Sequence, residues 1–519
     1  MASRLTRRDF LKLAALLPLT QLRWPLLVGE PRGLAQNASA PNVLFLVFDT
    51  LTAHDVSLYG YHRETTPNLA RFAERATVFH NHRAGANFTS PGTATLLTGT
   101  YPWTHRAMQL QGLTESQFVN KNIFALFGQH GYFQTAYTHN PLAMGLLLEF
   151  RESLDAFIPA RELTLLDEQF SDLLLMNDWN NSYDVEWQYV RGGLGQYPPG
   201  SLFLSWLHRL VRLWDKRKVT QALGDQFPLG IPNNNSSFFI LEEAIDWIQT
   251  QLVTLPQPFL AYVHLLPPHG PYAPRKDFVG LFSDDFRPGV PTADTKPNHP
   301  LVGGGVSPSQ LVKNRRDYDE FLAYTDSEFG RLLDYMEQNG VLDNTIVVFT
   351  SDHGESFERG VLGHLTPILY ETLLRVPLLI SRPGQQTRED IFTPTSNVDI
   401  LPTLLHLTGQ PIPDWVEGQV LPPFGEADEA RAVFAVEAKS NPKLAPLTRR
   451  ATITMVKEDV KLIHYIGYPN LGPAYELYNL AEDPEELNNL YTSDKSLAAA
   501  MQDELQEKLN QVNLPYQRN

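Results

Sequence analysis

The run Asn42-Val43-Leu44-Phe45-Leu46-Val47-Phe48-Asp49 has no polar residue on either face of a strand between its two ends. Continuous apolar runs of this length read as parallel strands buried on both faces, and the aspartate that ends this one marks a strand opening into a polar site. Two further stretches share the pattern. Ile346 to Thr350 leads to Asp352-His353, and Phe259 to Val263 is followed by His264 and by Pro268-His269. Three buried strands, each delivering polar side chains just beyond its C-terminal end, are the signature of an open α/β sheet with its ligand site along that edge. Amphipathic stretches between them predict helices over Thr66 to Ala76, Phe238 to Val253 and Asp317 to Gln338, the last stopped by Gly340. The expected fold class is therefore α/β, a large central and mostly parallel sheet flanked by helices. From about residue 430 onward, short alternating runs (Thr452 to Val456, Lys461 to Tyr465) and a final amphipathic helix predict a small antiparallel sheet with one helix.

The chain has 519 residues, 43% of them hydrophobic and 19% charged, enough to bury a large core. Its formal net charge of −16 argues against a general nucleic-acid binder, which needs a basic footprint. The absence of cysteine excludes disulfide frameworks, thiolate metal sites and cysteine nucleophiles. Near the start, Thr6-Arg7-Arg8-Asp9-Phe10-Leu11-Lys12 precedes a short apolar run ending at Leu19. This resembles a bacterial twin-arginine export signal, with cleavage expected after Ala35 or Ala40. Cleavage after Ala35 would remove six basic and two acidic residues and take the charge from −16 to −20. The expected division is a signal over 1–35, a catalytic domain over 41–425 with an insertion at about 150–235, and a C-terminal subdomain over 430–519. The expected location is periplasmic or extracellular, reached through the twin-arginine machinery. Within the insertion, Phe203, Trp206, Leu207, Leu210 and Trp214 fall at helical spacing with Arg209, Arg212, Lys216 and Arg217 between them. The segment 202–219 therefore reads either as part of an insertion packed on its own domain or as a surface that touches a membrane or covers substrate.

The stretch Thr89-Ser90-Pro91-Gly92-Thr93-Ala94-Thr95-Leu96-Leu97-Thr98-Gly99-Thr100-Tyr101-Pro102 carries the chemistry. It resembles the sulfatase family of the alkaline phosphatase superfamily, whose motif runs Cys (or Ser)-x-Pro-x-Arg and then Ala-Ser-Leu-Leu-Thr-Gly-Arg-Tyr-Pro. Thr89 aligns with the residue that the family oxidises to formylglycine. The resemblance extends through Thr66-Pro67-Asn68-Leu69, Pro268-His269-Gly270-Pro271-Tyr272, Ser351-Asp352-His353-Gly354-Glu355 and Arg375-Val376-Pro377-Leu378 to Glu476-Leu477-Tyr478-Asn479-Leu480 near the end.

Three departures converge. The family's paired aspartates are Asp49-Thr50 here, its arginine is Thr93, and threonine cannot become formylglycine because its oxidation gives a ketone. The chain looks like the superfamily branch in which an encoded threonine is the nucleophile. The resemblance and the residue types imply one divalent ion held by Asp49, Thr89, Asp352 and His353. Coordination would lower the hydroxyl pKa of Thr89 and aim it for in-line attack. A carboxylate, hydroxyl and imidazole set suits Mn²⁺ or Zn²⁺ better than Ca²⁺. A helix starting at or just after Pro91 would turn its N–H groups toward the transferred anion. His269 is the expected general acid or hydrogen-bond donor, and His364 is a second candidate for that role. His264, His105 and Asn140 are further residues that could face the cleft without an assigned role, and Glu355 and Tyr370 read as supporting or packing residues.

The expected partner is an anionic ester. A sulfated formylglycine releases sulfate by C–O cleavage, an exit that a sulfothreonine lacks. A phosphothreonine is resolved by a second displacement at phosphorus, which favours phosphate, phosphodiester or phosphonate esters. A sulfuric ester hydrolase without formylglycine, a phospho-group transferase, and a non-catalytic protein binding glycans or lipids are the alternatives.

Overall fold

A computed structural model describes residues 40–158, 163, 165, 202–234, 237–283, 296–302, 304–469, 471 and 474–517. The export signal and, within the insertion, residues 159–162, 164, 166–201 and 235 lie outside the described residues. The central sheet has eight strands among these residues: β1 (Asn42–Phe48), β2 (Thr77–Phe79), β3 (Phe133–Thr138), β4 (Ala156–Phe157), β5 (Phe259–Leu265), β6 (Thr345–Thr350), β7 (Leu378–Ser381) and β8 (Glu389–Ile391). Their spatial order is β8-β2-β7-β6-β1-β5-β3-β4. β1 lies at the centre, parallel to both neighbours, and β7 alone runs against the others. All seven residues of β1 are buried, as its uninterrupted apolar run requires.

Nine helices matter here: α1 (Pro67–Ala73), α2 (Thr89–Thr98), α3 (Ile123–Gln129), α4 (Pro141–Glu149), α5 (Leu202–Leu223), α6 (Leu241–Thr254), α7 (Pro308–Gln338), α8 (Ile400–Leu407) and α9 (Lys495–Asn513). Helix α7 begins nine residues before the expected Asp317, because the Ser307 hydroxyl caps Gln310 N–H and Pro308 suits a first helical turn. Its buried face brings Phe329 against Phe48 and Phe349, joining helix, β1 and β6 in one aromatic contact. Helix α5 leaves Leu210, Leu213 and Trp214 exposed.

Beyond the large sheet, β9 (Ala432–Glu437), β10 (Ala451–Lys457), β11 (Val460–Ile466) and β12 (Tyr475–Asn479) form an antiparallel meander. Helix α9 lays Ala498, Met501, Leu505 and Leu509 onto one face of it, the three- and four-residue spacing of a single helical stripe. Ile463, Tyr465 and Tyr478 of the meander share a second core cluster with Ile368, Tyr370 and Leu373.

Candidate active site

Helix α2 starts at Thr89, two residues earlier than its sequence suggests, with Phe88 as the N-cap. Thr89 is thus the first residue inside the helix rather than a residue ahead of it. Pro91 has no N–H and so removes one of the donors a helix start leaves unpaired, while the Thr89 and Ser90 N–H groups remain at the open end. All ten residues of α2 are buried. A threonine-rich helix tolerates this because Thr95 and Thr98 return their hydroxyls to the carbonyls of Pro91 (2.8 Å) and Ala94 (2.7 Å). Gly92 is required by close packing, since a Cβ there would stand 2.5 Å from the Asp352 carbonyl oxygen.

The strand register gathers the other groups. Val47 is paired with His264 on one side and with Thr350 on the other. Two residues further along, Asp49 and Asp352 leave their strands beside each other, and Asn140 does the same after β3. Asp352 Oδ1 accepts from His353 N–H (3.0 Å) and Thr50 N–H (3.5 Å), and Asp49 Oδ2 accepts from the Asn140 side-chain amide. The remaining carboxylate oxygens, Asp49 Oδ1 and Asp352 Oδ2, are buried without a hydrogen bond.

Beside them stand His353 Nε2, at 3.6 Å from Asp49 Oδ1 and 3.5 Å from Asp352 Oδ2, and His264 Nε2, at 3.8 Å from Asp352 Oδ2 and 3.4 Å from the other Asp49 oxygen, Oδ2. Thr89 Oγ1 is 3.4 Å from His353 Nε2. A divalent ion bonded at about 2.1 Å to tetrahedrally arranged donors spans donor–donor edges of about 3.4 Å. The Asp49 and Asp352 carboxylates and His264 Nε2 offer ligand atoms within 4.8 Å of one another and fit a divalent cation. His353 Nε2 stands beside the two carboxylates and Thr89 Oγ1 beside His353. His353 Nδ1 donates to the Gly354 carbonyl (3.0 Å), leaving Nε2 as the ligating nitrogen, and His264 Nδ1 lies 3.2 Å from the Tyr262 hydroxyl.

The electrostatics match a site built for a cation. Burial, and then the charge of Asp49, push the Asp352 carboxyl up to about 6. Burial also works against ionised Asp49, but the His264 contact and the nearby imidazoles His269, His264 and His353 hold it below the ordinary carboxylate range. Burial opposes the charged form of both site imidazoles. It lowers His353, while the Asp49 and Asp352 carboxylates outweigh it at His264 and raise that group.

Asn140 occupies a position that sequence spacing does not reveal. Its Oδ1 caps α4 by accepting Leu142 N–H (2.8 Å), which fixes the amide, and its Nδ2 donates to Thr89 Oγ1 (3.1 Å) as well as to Asp49. His269 lies on the loop after β5 with Nδ1 donating to the Gly270 carbonyl (2.6 Å). Its ring centre is 5.0 Å from that of His364, which is in turn 4.5 Å from that of His353. His105 stands apart, below α2, between Thr95 Oγ1 (3.2 Å) and Ala107 N–H (3.1 Å), with its pKa depressed to about 3 by burial. Tyr370 packs toward the meander, its hydroxyl on Glu476 (2.9 Å).

An α/β sheet with a cation-binding carboxylate–imidazole cluster at its C-terminal edge, and a hydroxyl at a helix N-terminus facing that cluster, defines a metal-dependent ester-hydrolysing enzyme. The chain belongs to the sulfatase family, which it matches over residues 41–410, and residues 366–514 match the C-terminal region of N-sulphoglucosamine sulphohydrolase. It is 26% identical over 491 residues to an ulvan-active sulfatase of Formosa agariphila, covering 91% of this chain and 80% of that protein. To a choline-sulfatase of Rhizobium meliloti it is 24% identical over 471 residues, covering 87% and 82%. Its fold superposes on the phosphonate monoester hydrolase of Agrobacterium radiobacter with a TM-score of 0.64 at 22% identity, covering 92% of this chain and 96% of that one.

Proposed function

We propose that this enzyme uses Thr89 as an encoded nucleophile and cleaves phosphate or phosphonate esters in preference to sulfate esters. The observation that carries this reading is the placement of Thr89 Oγ1 at the start of α2, 3.1 Å from Asn140 Nδ2 and 3.4 Å from His353 Nε2, in a chain without cysteine. A divalent ion at Asp49, His264, Asp352 and His353 would acidify the Thr89 hydroxyl and take up charge on the transferred group. Asn140 steadies the oxygen of Thr89, and the Ser90 N–H faces the anion along the helix dipole. Thr89 Oγ, its proton lost to solvent, attacks and forms a bond to phosphorus as the ester oxygen leaves on the opposite side with its bonding electrons. That oxygen takes a proton from His364 or His269. Water then displaces Thr89 from phosphorus and regenerates its hydroxyl; an acceptor alcohol in place of water would make the same cycle a transfer.

The names of the relatives favour a second reading, sulfate-ester hydrolysis with the same residues. A panel of aryl phosphate, phosphodiester, phosphonate and sulfate substrates decides between the two. Thr89→Ala is expected to lose at least about a thousandfold in kcat on the preferred class. Full activity in that variant excludes the nucleophile, and turnover of aryl sulfate alone excludes the preference for phosphorus. Mn²⁺ or Zn²⁺, rather than Ca²⁺, is expected to restore metal-stripped enzyme.

We further infer that the chain is exported through the twin-arginine route, on the strength of Arg7-Arg8 and the apolar run that follows. Replacing both arginines by lysine should leave the unprocessed chain in the cytoplasm. The exposed Leu210, Leu213 and Trp214 beside Lys216, Arg217 and Lys218 support contact of α5 with an anionic membrane surface, which vesicle sedimentation would detect. No helix among the described residues is long and apolar enough to cross a membrane.

A further inference from the structure

Glu355 is buried, and its carboxylate faces the loop that carries His364, one of the site's outer histidines. His364 Nδ1 lies 3.1 Å from Glu355 Oε1 and 3.4 Å from Oε2. Tyr272, three residues after His269, faces the same carboxylate, and burial together with that charge holds its hydroxyl well above the usual range. Tyr272 is itself wedged edge-on against Tyr318 (5.5 Å) and Phe357 (5.9 Å). The loop bearing His364 is folded back onto Glu355 by the Gly363 N–H, which donates to the Ser356 carbonyl (3.0 Å), and Gly363 turns with φ +102°. Asn87 then holds the far side of that loop through the carbonyls of His364 (2.9 Å) and Thr366 (2.8 Å).

We propose that Glu355 is the positioning residue for leaving-group protonation, fixing His364 through Nδ1 so that Nε2 is its working nitrogen. This rests on the reading of the protein as an ester hydrolase with His364 serving the leaving oxygen. A carboxylate only accepts, so it selects the Nδ1–H form of the ring. His269 is fixed in the same sense by the Gly270 carbonyl. Both imidazoles therefore turn Nε2 to substrate; protonated there from solvent, the imidazolium gives that proton to the leaving ester oxygen as its bond to phosphorus or sulfur breaks and returns to the Nδ1–H form.

The dependence on leaving group separates positioning from a merely structural role. Aryl esters such as 4-nitrophenyl phosphate, phosphonate and sulfate leave readily and need little protonation, whereas alkyl esters of the same anions depend on it. In Glu355→Leu, kcat is expected to stay within about threefold on the aryl ester and to fall about a hundredfold on the alkyl ester, with KM unchanged on both. Glu355→Gln retains an acceptor for Nδ1–H and should recover alkyl-ester turnover to within about fivefold, which also covers the case in which the leucine variant fails to fold. Equal losses on both ester classes, or no recovery with glutamine, overturn the proposal. Long-range ¹H–¹⁵N spectra of the imidazoles give a readout that does not depend on turnover. His364 should show the Nδ1–H tautomer in wild type and Glu355→Gln, and mixed tautomers in Glu355→Leu. An unchanged tautomer in the leucine variant also overturns it. If wild type turns over none of these esters while the tautomer shifts as described, the positioning stands and the hydrolase reading fails.

Discussion

The ionisation of Asp352 conflicts with its burial beside Asp49 in the metal-free protein. In the unfolded chain it loses its proton near 3.8, but in the folded protein only near 6. Between those values the folded state holds more protons than the unfolded state. The stability of metal-stripped enzyme should therefore fall as pH rises from about 4 to about 6 and stay low above that. Asp352→Asn removes the buried charge. Calorimetry in the presence of a chelator should give this variant a higher melting temperature than stripped wild type at pH 7.5, with no further rise on adding Mn²⁺ or Zn²⁺. A lower melting temperature would contradict the assignment. Asn140 offers a second test at this scale. Asn140→Ala leaves Thr89 Oγ1 and Asp49 without their amide donor and should lower kcat by about a hundredfold while α4 loses its cap. Steady-state kinetics that show only a change in KM would exclude that role.

At the scale of elements, the buried strands were legible because a strand covered on both faces leaves an uninterrupted apolar run. Asp49, Asp352 and His353 are the polar residues at which two such runs end, which is why the sequence offers them as candidates. His264 was offered only as a residue that could face the cleft, without a role, because β5 continues through Leu265 and takes His264 inside the strand. What makes it a site residue is its register beside Val47 and Thr138, and register between distant strands leaves no trace in local spacing. Asn140 reads locally only as a helix cap. The start of α2 was misplaced because Pro91 suits a first helical position, while burial of the whole helix carries the turn back to Thr89. The packing of α2 against the turn after β6 makes a prediction of unusual sign. Glycine to alanine inside a helix normally stabilises by about 1 kcal/mol, yet Gly92→Ala would drive a methyl group into the Asp352 carbonyl. A lower melting temperature and a weaker metal affinity, read by titration calorimetry, are both expected.

Across the whole molecule, the central sheet and the meander are joined by a buried charge cluster. Lys461 of β11, fully enclosed, reaches Glu371 (2.9 Å) and Glu486 (2.7 Å), and Arg83 closes on Glu371 (2.9 Å). Removing one member strands the others, so Lys461→Met should cost about 3–5 kcal/mol in denaturant unfolding, and Lys461→Met combined with Glu486→Gln less than that. If the single variant unfolds like wild type, the cluster does not hold the two sheets together. The register of the three central strands has a consequence of another kind. Thr50 and Asp352, which touch through one hydrogen bond, are 302 positions apart in the chain, and His264 falls between them. No fragment ending before β6 holds the complete set of cation donors, so a nascent chain binds the ion only weakly until most of the protein has been synthesised and the sheet has closed. Metal uptake is then a late event that reports completed folding. A preparation's metal stoichiometry would count correctly folded molecules, whatever fraction of the helices had already formed.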